Sequence, residues 1–371
     1  YSPLNGETFF KDVYRLPEGH YFTYKNDELN IQEYWDADFE TKGTHSRQEW
    51  IDKIDETVKA SIEAHTISDV EVGSFLSSGV DSSYVTSVLK PDHSFSIGFD
   101  DKTYNEAIEA RKLTEILDLD NTAAVIDGDM SFKAFPLIQY HLDEPDSNPS
   151  CVPLYFLANL ASQSVRGVQS GEGADELFAG YQTYGFHTNS KFIRVIAQGL
   201  KKLPKGTRYS LGRKIGKMKN FHGRIHLYES LAPAKEYFIG HARVFEEKEA
   251  ADLLTATDQD APSVSEIMAV HYEKTDGIKD EVNKMQYVDL HQWMPKDILL
   301  KADKLSMASS LEVRVPLLDI EVMKLAQQIP SKYLLNQNNT KDIFRQAANK
   351  QLPEEWSNRV KLGFPVPIKA W

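Results

Sequence analysis

Strand-like and helix-like segments alternate along residues 70–184 of this 371-residue chain, and that alternation limits the possible folds more than any other feature. Each apolar run of strand length is followed by a segment with helical spacing of its apolar residues. We predict strands at 70–76, 94–99, 122–126 and 165–170, and helices at 82–89, 105–117, 153–164 and 174–184. A βαβ series of this kind favours an α/β fold, with a parallel sheet and helices on both of its faces.

The flanks of this series have a different character. Residues 1–36 carry β signals, and alternating segments at 21–24 and 29–32 predict a hairpin around a polar turn. Strand signals fade from about residue 185, and the remainder of the chain has mostly helical patterns. The chain begins with Tyr1 rather than Met and stops at Trp371 without a terminating signal. We therefore expect it to be a fragment of a longer protein.

Composition excludes several classes of function. The net charge of −13 argues against a general nucleic-acid binder. The single cysteine, Cys151, excludes an intrachain disulfide and is typical of a reducing cytoplasm. There is no run of 18 apolar residues and no signal-peptide pattern, so we expect no membrane span and predict a cytoplasmic location.

A basic stretch at residues 191–224 stands out, since it holds eleven lysines and arginines and no acid. One interpretation is a solvated helical face, or a face that meets an acidic partner domain. The alternative is a docking site for RNA or anionic lipid. Nothing else in the sequence supports nucleic acid, which favours the first interpretation.

Residues 70–83 form the segment with the clearest chemical content, because a strand there runs through a small-residue turn into a helix. Gly79 allows the backbone to approach a ligand closely, and the helix N-terminus suits a bound phosphate. Asp81 would repel phosphate directly, so we expect it to hold Mg²⁺ that bridges phosphate oxygens. The alternative is an ordinary strand–turn–helix in which Asp81 or Ser82 is the N-cap.

A second segment at residues 170–181 repeats this arrangement after another predicted strand. Loops at the carboxyl ends of parallel strands share one crevice, so the two segments are expected to face each other. Asp175 would then join Asp81 on Mg²⁺. Glu172 lies between two glycines on an exposed turn and suits a general base. Alternatively, these acids only complement a helix dipole, although that explanation leaves the neighbouring glycines unexplained.

These two segments resemble a known family. The Ser-Ser-Gly-Val-Asp-Ser-Ser loop at 77–83 looks like the signature of pyrophosphate-loop ATP pyrophosphatases, which have an adenine nucleotide alpha hydrolase-like fold. Residues 170–181 narrow the resemblance to the synthetase domain of glutamine-hydrolysing asparagine synthetases. Segments 306–319 and 359–367 also resemble that family, and residues 6–36 resemble the tail of its glutaminase domain.

The resemblance implies a domain organisation that covers nearly the whole chain. Residues 1–40 would be the C-terminal remnant of the glutaminase domain, and 41–371 the synthetase domain. Within the latter, about 46–190 would form the ATP-pyrophosphatase core and about 191–371 a helical part.

The resemblance also implies a reaction. ATP and Mg²⁺ would activate L-aspartate as β-aspartyl-AMP, and ammonia would displace AMP to give L-asparagine. In the full-length protein the ammonia would come from glutamine through the glutaminase domain, and the protein would be a homodimer. A related alternative is an enzyme of the β-lactam synthetase type that acts on another carboxylate. A different class of alternative is a non-catalytic ATP-binding scaffold built on a decayed synthetase.

The family's functional residues can be placed on this sequence. Contacts to ATP and pyrophosphate would come from Phe75, Leu76, Ser77, Ser78, Gly79, Val80, Asp81, Ser82, Ser83, Ile97, Ser170 and Gly171. Mg²⁺ would lie on Asp81 and Asp175, and Glu172 would assist formation and ammonolysis of the intermediate. Lys361 would stabilise charge on the α-phosphate, since attack by a carboxylate on ATP brings two anions together.

Arg314 has two possible roles. An arginine suits a bidentate clamp on the substrate carboxylate, but Arg314 could equally pair with Asp303, Glu312 or Asp319 to fix the fold.

Two departures from the family pattern have consequences. Ser78 stands where the family usually has glycine in the loop, so its side chain must point away from phosphate or donate its hydroxyl. The glutaminase also needs an N-terminal nucleophilic cysteine. Cys151 lies far from a terminus and is expected to be a buried small hydrophobe, so this chain should not hydrolyse glutamine by itself.

Overall fold

A computed structural model describes residues 6–101, 106–185, 191–219, 221, 223–241, 245, 247–253, 262–336, 339–359 and 366–371. The strands in these ranges are β1 (His20–Lys25), β2 (Glu28–Glu33), β3 (Val72–Phe75), β4 (Ser94–Phe99), β5 (Asn121–Ile126), β6 (Gly167–Gln169) and β7 (Glu312–Arg314). The first two form an antiparallel hairpin in which Phe22 pairs with Ile31, which confirms the predicted hairpin.

The other five strands form one sheet in the order β5-β4-β3-β6-β7, and every neighbouring pair is parallel. Each of the four strands predicted in the αβ series is present, so the α/β prediction is confirmed. The chain fills one side of β3 with β4 and β5, and then places β6 and β7 on the other side. The strand order therefore reverses between β3 and β6. Ligands of open α/β sheets bind at such a reversal, outside the carboxyl ends of the strands.

The described helices are α1 (Arg47–Ala64), α2 (Val80–Leu89), α3 (Glu106–Leu117), α4 (Gly128–Leu142), α5 (Cys151–Ala161), α6 (Ala174–Leu177), α7 (Lys191–Leu200), α8 (Lys205–Gly216), α9 (Arg224–Leu231), α10 (Glu247–Leu253), α11 (Val264–Glu273), α12 (Glu281–His291), α13 (Leu299–Met307), α14 (Ile320–Gln328), α15 (Ser331–Leu334), α16 (Asp342–Ala348) and α17 (Glu354–Ser357). Short 3₁₀ turns lie at Gln182–Tyr184, Ala234–Glu236 and Pro316–Leu318, and a π-helical turn at Met294–Ile298 leads into α13. Within these ranges, no helix has both the length and the apolar character needed to cross a bilayer.

The helix predicted over 174–184 is shorter than expected. α6 ends at Leu177, and Ala179 follows with a φ of 55°, in the left-handed region. A Cβ on Gly180 would lie 1.8 Å from Asp175 Oδ1, so only glycine fits there. The chain therefore turns back over the Asp175 carboxylate instead of continuing as a helix.

Apolar clusters on the two faces of the sheet account for most of the core. One includes Trp50 and Ile54 from α1 and Phe344 from α16. The other includes Phe95 of β4 and Cys151 of α5, which is fully buried, as the sequence predicted. Helices thus cover both faces, and the sheet edge with the carboxyl ends of β3 and β6 is left for the site.

The basic stretch forms α7 and α8 and the connection to α9, which pack around a small apolar cluster containing Ile215 and Leu231. Arg213 Nε lies 2.7 Å from Glu236 Oε1, and Lys205 Nζ lies 3.7 Å from Glu281 Oε1. Part of the positive charge is therefore balanced by acids from neighbouring segments, in line with the first of the two interpretations.

Candidate active site

A cavity of about 570 Å³ lies at the carboxyl ends of β3 and β6, where the strand order reverses. Its wall includes most of the residues predicted from sequence: Phe75, Leu76, Ser77, Ser78, Gly79, Val80, Asp81, Ser82, Ile97, Ser170, Gly171, Glu172 and Asp175. The structure therefore brings together two loops that lie about ninety residues apart in sequence, as the parallel-sheet argument predicted.

The two loops are in direct backbone contact. A Cβ on Gly171 would lie 2.5 Å from the backbone nitrogen of Ser82 and 2.8 Å from the carbonyl carbon of Asp81. Real Cβ atoms do not approach backbone this closely. Gly171 is thus required for the second loop to reach the first, and the distance between the loops is fixed by main-chain atoms rather than by flexible side chains.

Serine hydroxyls shape the first loop from within. Ser82 Oγ accepts a hydrogen bond from the Ser77 N–H at 3.0 Å, and Ser77 Oγ accepts one from the Gly79 N–H at 3.1 Å. α2 then begins with Gly79 as its N-cap, and no side chain caps that end of the helix. The alternative with Asp81 or Ser82 as N-cap is therefore wrong, and an uncapped helix end faces the cavity, where it suits an anion.

Both metal-binding candidates converge on one buried cation, Lys341. Its Nζ lies 2.7 Å and 2.6 Å from the two carboxylate oxygens of Asp81, and 2.7 Å from Asp175 Oδ1. The side chain of Lys341 is only 1% exposed. Burial alone would lower the pKa of Lys341, but the charges of Asp175 and Asp81 raise it above its usual value. The ammonium is therefore firmly charged.

Lys341 was not among the residues predicted from sequence. It lies 260 residues after Asp81, and nothing local marks it as different from the other lysines of the chain. Arg345, one turn further along α16, also lines the cavity and was missed. Its guanidinium donates to the backbone carbonyls of Thr340, Ser357 and Arg359, so it holds the last helices against the site.

The carboxylates of Asp81 and Asp175 fit the predicted Mg²⁺ in donor type and in placement. Mg²⁺ commonly uses one or two carboxylates together with phosphate oxygens and water. In the described part of the chain there is no cluster of three His, Cys, Asp or Glu side chains that would hold a metal ion. A metal at this position would therefore be held jointly with a nucleotide, and it would share the two carboxylates with Lys341.

A buried acid lies behind the second loop. Glu176 is 1% exposed, and its Oε1 accepts a hydrogen bond from the Tyr181 hydroxyl at 2.7 Å. The same hydroxyl accepts one from Trp293 Nε1 at 2.9 Å. Burial, and then the nearby charge of Asp175, raise the pKa of Glu176 to about 8. These hydrogen bonds hold Glu176, Tyr181 and Trp293 together in the part of the cavity wall that also includes Glu172.

Three predicted site residues are not placed at the cavity. Ser83 is fully buried and is not among the residues that line the cavity. Lys361 lies outside the described residues. Arg314 donates from Nε to Glu312 Oε1 at 2.7 Å and from Nη1 to the carbonyls of His65 and Ile67 at 2.7 and 2.9 Å. The pairing with Glu312 is one of the two roles predicted for Arg314, and these contacts favour that role in the fold, since Arg314 is not among the residues of the cavity wall.

Glu106 is a further cavity residue that the sequence analysis missed. It begins α3, is 8% exposed, and accepts a hydrogen bond from the backbone of Ser78. Burial raises the pKa of Glu106 to about 7, while the Ser78 hydrogen bond and the charge of Arg359 act in the opposite direction. Ser78 is 8% exposed and lines the cavity, so the loop carries a non-glycine residue within the cavity wall.

We expect Glu106→Gln to be more stable than the parent by up to about 3 kcal/mol at pH 8, and nearly equal to it at pH 5. The folded-state pKa of Glu106 is raised from 4.5 to about 7, so the folded protein binds this proton more tightly than the unfolded chain. Its contribution to stability is present below pH 4.5 and is lost as the pH rises to about 7. Urea unfolding of both proteins at pH 5 and pH 8 measures the difference.

Glu109→Gln is the matched control on the same helix. Hydrogen bonds from Lys112 and Arg359 lower the pKa of Glu109, so its contribution is lost on acidification instead. A parent and a Glu106→Gln variant that respond identically to pH would show that Glu106 is ionised at neutral pH in the folded protein.

Comparisons with known proteins agree with the geometry. The family model described as "Asparagine synthase" matches residues 53–371. "Asparagine synthetase [glutamine-hydrolyzing] 1" of Bacillus subtilis (strain 168) is 36% identical over 97% of this chain and 56% of that protein. A "Putative asparagine synthetase [glutamine-hydrolyzing]" of Mycobacterium bovis is 34% identical over 98% of this chain and 56% of that protein. "Amidase chyE" of Penicillium rubens is 25% identical over 99% of this chain and 60% of that protein. The chain thus spans little more than half the length of these relatives.

Proposed function

This chain belongs to the asparagine synthase family, and from that premise we propose that it activates L-aspartate with ATP and transfers ammonia to it, forming L-asparagine. In the first step an oxygen of the aspartate β-carboxylate attacks the α-phosphorus of ATP. The bond between that phosphorus and the oxygen leading to the β-phosphate breaks, which gives β-aspartyl-AMP and pyrophosphate.

The cavity residues have distinct roles in this proposal. The main chain at Phe75, Ile97 and Ser170 borders the space for the adenosine part. The first loop and the uncapped start of α2 bind pyrophosphate. Asp81 and Asp175 would hold Mg²⁺, which would neutralise phosphate charge when bound. Lys341 keeps those two carboxylates together and adds a fixed positive charge beside the phosphates.

In the second step ammonia attacks the acyl carbon of β-aspartyl-AMP, the bond from that carbon to the bridging oxygen breaks, and AMP leaves. The attacking nitrogen loses a proton as the amide forms. We assign that proton to the carboxylate of Glu172, which lines the cavity on the loop that Gly171 brings against the nucleotide site. Lys361 is proposed to stabilise charge on the α-phosphate in both steps.

The convergence of Asp81 and Asp175 on Lys341, across the Gly171 contact, is the single observation that carries this proposal. An ordinary strand–turn–helix does not need two half-buried carboxylates around a fully buried lysine at the carboxyl ends of two strands, because burial of charge is costly. A non-catalytic scaffold built on a decayed synthetase would also have no reason to retain this arrangement of Asp81, Asp175 and Lys341.

The nitrogen donor and the partners are part of the proposal. The β1–β2 hairpin exposes apolar side chains, among them Phe22, Tyr24 and Leu29, each more than half exposed. An apolar surface of this kind suits contact with a further domain. We propose that a glutaminase domain of the same protein packs there and supplies ammonia from glutamine, and that the protein is a homodimer in the cytoplasm.

We expect the purified chain to catalyse aspartate-dependent exchange of labelled pyrophosphate into ATP, and to form asparagine when ammonium salt is added. Lys361→Ala should reduce the exchange rate by about 100- to 1,000-fold, the usual effect of removing one preorganised group that stabilises transition-state charge. Exposed Lys369, on the same C-terminal segment, provides the control, and Lys369→Ala should exchange at the parental rate.

Several outcomes would contradict the proposal in different ways. Absence of pyrophosphate exchange with any carboxylic acid would exclude the adenylating mechanism. Exchange without asparagine formation would favour the alternative, an enzyme that amidates or cyclises another carboxylate, in keeping with the similarity to an amidase. Unchanged exchange in Lys361→Ala would remove that lysine from the mechanism.

A further inference from the structure

A buried ion pair forms another polar part of the cavity wall. Lys301, on α13, is 4% exposed and lines the cavity. Its Nζ donates to Asp297 Oδ1 at 2.7 Å, one turn earlier in the chain. Asp297 is also held by Asn148, whose Nδ2 donates to its two oxygens at 2.8 and 3.0 Å. The pair is therefore fixed from two sides, by the π-helical turn that leads into α13 and by the loop before α5.

The ammonium of Lys301 has more N–H donors than the one hydrogen bond to Asp297 uses. An ammonium carries three N–H bonds, and within the described residues Asp297 is the acceptor of the only hydrogen bond that Lys301 makes. The ring of Trp293 lies 5.7 Å from Nζ to the ring centroid, and the charge of Lys301 also acts on the buried carboxyl of Asp146. Because Lys301 lines the cavity, its remaining N–H groups can donate to a bound ligand.

The other described cations of the cavity wall already have partners. Lys341 lies between Asp81 and Asp175, and Arg359 pairs with Glu109, although its buried Nη1 has no hydrogen-bond partner among the described residues. Arg345 donates to backbone carbonyls. The first loop and the start of α2 serve the phosphates in the proposed function. Lys301 belongs to neither loop and has N–H groups beyond the one that donates to Asp297, so it is a cation that can serve the second substrate.

We propose that Lys301 binds the α-carboxylate of the acceptor and thereby selects an α-amino acid over a simple carboxylic acid. This inference rests on the proposed function and names the substrate class of the same site. The acceptor has two carboxylates in this view. One attacks ATP, and the other lies on Lys301 beside Trp293, with Asp297 and Asn148 fixing the ammonium in place. A charge-assisted hydrogen bond of this kind gives both orientation and discrimination.

The test compares pairs of acids that differ only in the α-carboxylate: aspartate with β-alanine, and glutamate with 4-aminobutyrate. The readout is kcat/KM for pyrophosphate exchange. The parent should prefer the member with the α-carboxylate by about 100-fold. In Lys301→Met this preference should collapse to near one, because the rate with aspartate falls while the rate with β-alanine stays within about threefold and the KM for ATP is unchanged.

Two further variants provide a second test of Lys301 and a control. Asp297→Asn combined with Lys301→Met removes both charges and avoids a buried unpaired carboxylate, so it tests the same point if the single variant folds poorly. Lys296→Met removes another buried lysine from the same turn, one that is not part of the cavity wall, and it should keep the parental preference.

Each result has one meaning. If Lys301→Met lowers kcat/KM equally with both acids of a pair, the proposed role of Lys301 is wrong. A raised KM for ATP with the preference intact would also overturn it, and would indicate that Lys301 binds a phosphate. If the parent uses glutamate instead of aspartate, the proposed substrate is wrong, but the glutamate pair still tests Lys301. If the parent shows no pyrophosphate exchange with any acid, both the proposed function and the role of Lys301 are wrong.

Discussion

Lys341→Met should abolish pyrophosphate exchange and lower the free energy of unfolding by about 3–5 kcal/mol at pH 8. The variant leaves the half-buried carboxylates of Asp81 and Asp175 close together without the buried cation that lies within 2.7 Å of both. Loss of the fixed charge beside the phosphates should reduce the exchange rate by at least about 100-fold. Urea unfolding and the exchange assay measure the two effects separately.

Lys350→Met is the matched control for this prediction. Lys350 lies nine residues later, is more exposed, and pairs with Asp52 at the surface, where an ion pair contributes about 0–1 kcal/mol. Adding Mg²⁺ without nucleotide should restore part of the lost stability of Lys341→Met, since two carboxylates without a cation become a better metal site. A variant with parental stability and exchange would show that the three groups do not form a unit in solution.

Gly171→Ala should lower kcat for exchange by about 100-fold or more and destabilise the fold by about 1–3 kcal/mol. The new Cβ would lie 2.5 Å from the Ser82 nitrogen, so the two loops must separate for it to fit. The separation moves Glu172 and Asp175 away from Asp81 together, which disturbs the binding of both substrates and the chemistry between them.

Gly167→Ala, on β6 just before the loop that holds Gly171, controls for the general effect of adding a methyl group to this segment. Its nearest neighbours would be a Val72 methyl at 3.8 Å and the Glu312 carbonyl oxygen at 3.9 Å, which are ordinary contacts. We expect this variant to exchange at close to the parental rate. Equal rates in the two alanine variants would mean that the loops tolerate separation, and that their contact is not needed for catalysis.

The sheet and the two loops could be predicted from sequence because their signals are local. The alternation over 70–170 specifies parallel strands, and parallel strands bring the loops that follow them to one edge. Resemblance to a family then gave identities to loop residues. β7 was not predicted, since three residues are too few to show alternation. The helix α4 was not predicted either.

The cation side of the site could not be predicted, because it depends on contacts over long sequence separations. Lys341, Arg345 and Lys301 come from helices whose local sequence resembles that of any surface helix. Only packing shows that these side chains are buried and that two of them meet carboxylates. The two roles of Arg314 could not be separated from sequence for the same reason: its pairing with Glu312 was one of the possibilities, but its backbone carbonyl partners carry no sequence signal.

The long separation of Asp81 from Lys341 has a consequence for the chain during its synthesis. At about 5–20 residues per second, a ribosome adds the intervening 260 residues in about 13–52 seconds. During that interval the first loop and Asp175 emerge without the ammonium that joins them. The nascent chain therefore holds an incomplete site, and nucleotide chemistry begins only after translation has passed Lys341.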